Sequence, residues 1–386
     1  MKKILMVATV PGMIGQFNMD NLRLLQELGY KVEVACNFED RSVWTSERVH
    51  SFVQVMKGMQ ISMHQIDFPR NPSDMKHLLH AWRQMDRLIA KNGYTGIHCH
   101  TPVAAALTRI IAHRYKVRVV YTAHGFHFYQ GASWKNWLIY YPIEWILSRW
   151  TDTLITINQE DYELAKKRFH AKRTVYVQGV GIDVARFSCH MESEAACLLR
   201  ESLGIHKGDI AILSVGELST RKNHAQVIRA LAHLNIPDVN YYIVGQGSQE
   251  ALLDVARECN MLQRVRLLGF RTDIPELLHA MDLFVLPSLQ EGLPVALMEA
   301  LASGIPCLAS RIRGNVDLEQ YGVQYFEVDD QKQLEDQLSS MVSKLKRGVL
   351  DIDAAGNKAR CADIMDLDRS VIGQKMRAVY EETFSQ

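Results

Sequence analysis

The segment Leu283-Phe-Val-Leu-Pro-Ser-Leu-Gln-Glu291-Gly-Leu-Pro-Val-Ala-Leu-Met-Glu299-Ala-Leu-Ala-Ser-Gly304-Ile-Pro-Cys-Leu-Ala-Ser310 decides how the chain folds. Leu283–Pro287 and Ile305–Ala309 read as short buried strands, continuous apolar runs bounded by turn residues. Between them, Pro294 suits the first turn of a helix, because a helix leaves that N–H unpaired in any case. Gly304 and then Pro306 end the helix as a left-handed glycine and a following breaker do. The order is therefore strand, loop, helix, strand, with Glu291 on the loop entering the helix and Glu299 within it. The free amides at Gly292 and Leu293, with the positive dipole end of the helix that opens at Pro294, make a site for phosphate. Helix rise places Glu299 about 7–8 Å beyond Pro294, a reach suited to a nucleotide sugar. One carboxylate could accept from sugar hydroxyls and the other from a ribose. The plainer reading is that acidic residues favour first turns for dipole reasons alone. Against it, parallel sheets bind ligands at the carboxyl ends of their strands, where Glu291 would stand.

Outward from this segment the alternation continues. Asp209–Gly216, Tyr241–Gly245 and Val265–Gly269 read as further strands, with helices between them. In the first half, Lys3–Thr9, Lys31–Cys36, Gly96–His100, Val117–Thr122, Thr153–Asn158 and Thr174–Gln178 read as strands. Gln16–Leu28 reads as one amphipathic helix. Met75, Leu78, Leu79, Trp82, Met85, Leu88 and Ile89 form the apolar face of another. Gln178-Gly-Val-Gly-Ile-Asp183 breaks the rhythm and separates two such series. Alternating strands and helices imply α/β units with parallel sheets covered on both faces, and 386 residues suit two of them.

Several motifs recur in order: Ala123-His-Gly-Phe-His127, Gly181-Ile-Asp183 with Phe187, Gly216-Glu-Leu-Ser-Thr-Arg-Lys222, Gly269-Phe270 through Pro275, and Glu291 with Glu299. Together they resemble the retaining glycosyltransferases of family 4. The stretches Tyr121–Tyr129 and Trp137–Glu144 look like the capsular and exopolysaccharide branch. The resemblance implies a GT-B fold, two Rossmann-like domains facing each other across a cleft. Residues 1–180 would bind the acceptor and 181–365 the donor, and a helix in 366–386 would cross back to the first domain. It implies catalytic roles for Glu291, Lys222 and His124. Glu291 would orient the sugar hydroxyls, and Lys222 would neutralise the departing diphosphate. Donor contacts would come from Gly216, Arg221, Phe270, Arg271, Asp273, Gly292, Leu293, Pro294 and Glu299. Gly12 and Gly15, on a loop after the first strand, would lie with His127 on the acceptor or sugar side. The departing phosphate oxygen would take the acceptor proton, and no metal or other cofactor would be required.

One departure stands out. Many relatives carry Arg where this chain has Glu217, and an acid beside a diphosphate repels it. Either Arg221 supplies the missing cation or Glu217 turns away to pair with a neighbour.

Charge is divided along the chain. Residues 1–178 hold 23 Lys and Arg against 14 Asp and Glu, a net +9, while the remainder holds 21 against 29, a net −8. A basic half suggests an anionic partner: nucleic acid, a phospholipid surface or a lipid diphosphate. Otherwise the two halves merely balance each other. No nucleic-acid motif supports the first of these. Residues 128–150 hold four of the six Trp. Trp and Tyr with Lys and Arg favour a bilayer interface. The alternative is a buried stripe of Trp137, Tyr141 and Trp145. The expected partners are a UDP-linked sugar, a lipid-linked or oligosaccharide acceptor and the inner face of an anionic membrane.

Met1–Val10 reads as a first strand and not a targeting segment, because Pro11 and Gly12 stop the apolar run. No run is long enough to span a bilayer. The seven Cys (36, 99, 189, 197, 259, 307, 361) are scattered without C-x-x-C and mostly lie in apolar runs. They read as reduced thiols of a cytosolic protein. His98 and His100 share a strand face but lack a third ligand for a metal. Gly245-Gln-Gly247 reads as a tight turn. Two other functions remain compatible with this architecture: a nucleotide-sugar epimerase or hydrolase, and a non-catalytic partner subunit, which Glu217 alone favours.

Overall fold

The computed structural model describes residues 2–42, 44–189, 191–348 and 364–385. Cys361 lies outside them. The chain divides into two compact units, Met1–Val180 with Ser370–Gln386, and Gly181–Arg369.

The first unit is built on seven parallel strands: β1 (Lys3–Val7), β2 (Lys31–Cys36), β3 (Ser62–Gln65), β4 (Gly96–His100), β5 (Arg118–Ala123), β6 (Thr153–Thr156) and β7 (Arg173–Tyr176). Their order is β3-β2-β1-β4-β5-β6-β7. The order reverses beside β1, and β1 and β4 flank the switch point where such sheets bind ligands. Alternate residues of β1 feed opposite faces. Ile4 and Met6 pack with Ile372, Met376, Tyr380 and Phe384 of the Arg369–Phe384 helix. Leu5 and Val7 pack with Met85, Ile89 and Ile97. Thus most of the last helix covers one face of the first sheet.

The second unit has six parallel strands: β8 (Ile210–Val215), β9 (Val239–Val244), β10 (Val265–Gly269), β11 (Leu283–Leu286), β12 (Cys307–Ser310) and β13 (Gln324–Phe326), ordered β10-β9-β8-β11-β12-β13. Its switch point lies between β8 and β11, which pair through Leu283 and Ile212.

Two strands escape the sequence reading. Ser62-Met-His-Gln65 has no apolar alternation because it is an edge strand with no fully buried residue, and Gln324–Phe326 is only three residues long. The helix expected over Gln16–Leu28 is two, Pro11–Phe17 and Met19–Glu27, broken at Asn18. The Asn18 side chain donates to the Met13 carbonyl at 3.1 Å, tying the break to the first of them. Of the described cysteines, Cys36, Cys99 and Cys307 are buried, Cys259 is half-buried, and Cys189 and Cys197 are exposed.

Candidate functional site

In the second unit the site grows from the loops that leave β8 and β11. Pro294 caps the helix Val295–Ser303 instead of occupying its first turn, a shift of one residue. The amides of Gly292, Leu293, Val295 and Ala296 donate to nothing among the described residues. They form the open cluster expected of an anion site. Gly314 holds the loop from outside. A Cβ there would come within 2.2 Å of the Gly292 carbonyl oxygen, and its φ of +82° also suits glycine.

Thr220–Lys222 forms a short 3-10 turn after β8 and clamps onto the Glu291 loop. The Leu289 amide donates to the Arg221 carbonyl at 2.8 Å, and Arg221 Nη1 donates to the Gln290 carbonyl at 2.9 Å. Lys222 Nζ then reaches Glu291 Oε1 at 2.6 Å, with the two side chains 12% and 9% exposed. Arg221 Nη1 stands 3.5 Å from the other carboxylate oxygen. The methylenes of Lys222 lie across Gly216, where a Cβ would press on them at 3.1 Å. The two residues given separate roles from sequence, Lys222 and Glu291, are therefore one ion pair before any ligand arrives.

Glu217 resolves between its two alternatives. Its carboxylate is mostly exposed and 3.9 Å from Arg221 Nη2, so it points outward and takes a loose share of that cation.

Glu299 lies four residues into its helix, and burial pushes its carboxyl up to about 7, despite Arg369 and Arg186 nearby. Arg271 and Asp273 satisfy each other, with Arg271 Nε donating to Asp273 Oδ1 at 2.8 Å. Phe270 is 55% exposed.

In the first unit, His124 follows β5 and is half-buried. Its Nε2 lies 3.1 Å from His100 Nδ1. Burial lowers His124 to about 4, so the ring is neutral at physiological pH. His127 stacks on Tyr140 with ring centroids 4.5 Å apart. It lines a cavity of about 420 Å³ with Gly12, Phe17, Arg70, Phe126 and Tyr140. That volume is within the range of small-molecule sites. Arg70 is exposed and has no ion-pair partner among the described residues. On the same cavity, Glu144 is held by Arg109 through paired contacts of 2.8 and 3.1 Å. Burial ordinarily costs a charge several kcal/mol, and this bidentate geometry is what makes the pair tolerable.

Gly12 and Gly15 do not form a ligand loop, because both lie in the helix Pro11–Phe17. Gly12 still lines the cavity. Gly15 does not: a Cβ there would stand 2.3 Å from a ring carbon of Trp44 and 3.1 Å from Phe52, so this glycine exists to let the helix pack.

The expected stripe of the Trp134–Ser148 helix is only partly covered: Tyr141 and Trp145 are half-buried and Trp137 is 36% exposed. Trp137 contacts Phe128 and Tyr141 at ring distances of 5.6 and 5.7 Å. Trp134, Leu138, Ile139, Ile143 and Ile146 are between 45% and 69% exposed. No described helix is long and apolar enough to cross a membrane.

Sequence reasoning missed Arg70, the Arg109–Glu144 pair and His100. For His100 a signal existed. In parallel register β4 ends with His100 beside Thr122, which puts His124 just past it.

Two parallel α/β units, of seven and six strands, fit the two-domain α/β fold of the GT-B type. A solved Anabaena protein, Alr3699/HepE in complex with UDP-glucose, has that fold with a TM-score of 0.77 at 19% identity, covering 99% of this chain and 100% of that one. The family model for glycosyltransferase family 4 matches residues 15–186, and that for group 1 glycosyl transferases matches 198–347. The putative glycosyltransferase EpsD of Bacillus subtilis is 34% identical over 328 residues, 83% of this chain and 82% of that protein. An Escherichia coli UDP-Gal:alpha-D-GlcNAc-diphosphoundecaprenol alpha-1,3-galactosyltransferase is 33% identical over 250 residues, 63% of each chain. The chain belongs to glycosyltransferase family 4 and is a glycosyltransferase of the hexosyltransferase type.

Proposed function

We propose that this enzyme moves a sugar from a UDP-sugar to a lipid-diphosphate-linked glycan during cell-surface polysaccharide synthesis, with retention of anomeric configuration. The observation that carries the reading is the Lys222–Glu291 pair beside four open amides at a helix start. A diphosphate docked on those amides competes with Glu291 for Lys222. The released carboxylate is then available to sugar hydroxyls, and Lys222 meets the charge that grows on the departing phosphate. Glu299 accepts from the ribose, and Phe270 with the Arg271–Asp273 turn borders the base. The acceptor hydroxyl attacks the anomeric carbon from the side of the leaving group. The bond to phosphate breaks with its electron pair, and the phosphate oxygen takes the acceptor proton. No step is assigned to a metal or other cofactor.

UDP is favoured by the donor in the name of the Escherichia coli relative and by the ligand of the Anabaena structure. That relative's acceptor, a sugar on diphosphoundecaprenol, supports a lipid-linked acceptor here. The first-unit cavity suits its sugar, since aromatic walls stack on sugar faces, and Arg70 at the rim suits its diphosphate. The first unit carries 25 basic and 16 acidic side chains, a net +9. With the exposed apolar face of the Trp134–Ser148 helix, this favours peripheral binding to the anionic inner leaflet.

The test is a panel of UDP-sugars offered with and without a polyprenyl-diphosphate-linked sugar, with product anomers read by NMR. An α-linked glycolipid formed from an α-donor is expected. Free sugar or an epimer as sole product, whether or not acceptor is added, would replace the transferase reading by hydrolase or epimerase.

A further inference from the structure

His98, His100 and His124 form a line of imidazoles at the carboxyl ends of β4 and β5. Both nitrogens of His98 are engaged, Nδ1 by the Tyr380 hydroxyl and Nε2 by Thr122 Oγ1, each at 2.8 Å. His100 lies against it with ring centroids 4.1 Å apart. His100 Nδ1 meets His124 Nε2 at 3.1 Å, while His100 Nε2 is sealed in the interior with no partner.

That orphaned nitrogen limits where the protons can be. Two neutral arrangements satisfy the contact between the rings. In one, His124 Nε2–H donates to His100, and the proton on His100 must then sit on Nε2, a buried N–H with nothing to donate to. In the other, His100 Nδ1–H donates to His124, and the buried Nε2 is a bare lone pair. In the main chain, orphaned buried N–H groups are rarer than under-satisfied acceptors, and by the same reasoning the second arrangement is favoured. A positive charge is disfavoured on both rings by burial, and on His100 also by the neighbouring imidazoles. It follows that His124 carries its proton on Nδ1. That atom has no partner among the described residues and is not among the sealed ones.

We propose that His100 is a positioning residue that fixes His124 as a neutral imidazole with Nδ1–H available to donate to an oxygen of the bound substrate. This rests on the reading of His124 as a substrate contact. It assigns His124 hydrogen-bond donation, not proton transfer.

The experiment combines imidazole NMR with kinetics on the full-length enzyme. Protein labelled with ¹⁵N-histidine gives the tautomer of His124 directly, with the signal assigned by its loss in His124→Gln. The Nδ1–H form is expected. His100→Asn, whose amide N–H can take the place of Nδ1–H, should keep that tautomer and keep kcat within a few-fold. His100→Asp can only accept, so it should reverse the tautomer and lower kcat by roughly 10–100-fold. An Nε2–H signal in the wild type would overturn the proposal even if no variant folded, and so would full activity in a folded His100→Asp. If the tautomer is as expected but His124→Gln turns over normally, the substrate contact is what fails, and the donor role falls with it.

Discussion

Replacing Lys222 by Met separates what the Lys222–Glu291 pair does for the fold from what it does for the reaction. At 2.6 Å, with both side chains nearly covered, the gross attraction is roughly 6 kcal/mol at an effective dielectric of about 20. Desolvation offsets much of that. Removing one partner of such a pair nevertheless costs about 3–5 kcal/mol, because the other charge is left buried. Arg221, 3.5 Å from the second oxygen of Glu291, moderates the loss, so Lys222→Met is expected to cost about 3 kcal/mol in urea denaturation. Adding Glu291→Gln removes the stranded carboxylate and should restore about 2 kcal/mol. Turnover should behave differently. Losing a cation aimed at the departing diphosphate lowers kcat by about 10²–10³, and the second substitution should recover none of it. A double-mutant cycle in both stability and kcat reads this directly. A coupling in stability below about 0.5 kcal/mol would deny the pair. Unaltered turnover in Lys222→Met and in Glu291→Gln would remove the catalytic assignment.

Other consequences are equally direct. Because the folded state raises Glu299 from its ordinary 4.5 to about 7, its contribution to stability is complete below about pH 4.5 and is lost as pH rises through 7. The full shift corresponds to at most about 3 kcal/mol. Urea midpoints at pH 5 and 8 should therefore differ less in Glu299→Gln than in the wild type, and an equal difference would refute the assignment. An ionised Glu299 is the stronger acceptor for the ribose, so donor KM should rise as pH falls below 7 in the wild type and stay level in the Gln variant. Gly15→Ala should cost about 1–3 kcal/mol by collision with Trp44 while leaving KM unchanged in the folded enzyme; a KM defect at normal stability would return Gly15 to the ligand site. Trp134→Ser with Leu138→Ser should weaken flotation on anionic vesicles by at least about tenfold. Equal binding by wild type and variant would exclude that helix face as the contact.

Much of this enzyme was legible from local pattern alone. Apolar runs identified eleven of the thirteen described strands in substance, since a strand covered on both faces has no polar side to show. Gly304 and Pro306 fixed the end of the Glu299 helix, because glycine in the left-handed region and proline beyond it act within a few residues. Edge strand β3 stayed hidden for the opposite reason: it buries too little to need an apolar sequence. The break at Asn18 was hidden because a side chain tying itself to a nearby carbonyl leaves no mark on hydrophobic periodicity.

The residues that carry the proposed chemistry were also visible, but their partnerships were not. Glu291 and Lys222 are 69 positions apart, His100 and His124 are 24 apart, and Arg109 and Glu144 are 35 apart. Sequence order sets which strand each residue ends, and so which end of a sheet it reaches. Whether two such residues touch depends on strand register and on loop packing, which are settled by contacts among residues far apart in the chain. The same holds for protonation. A carboxyl at about 7 and a histidine at about 4 follow from burial, and burial is a property of the assembled fold. The sequence by itself determined the strand-and-helix frame and placed charged and polar groups at its strand ends. Only the tertiary structure decided which of those groups are paired, which are dry and which stay open to a ligand.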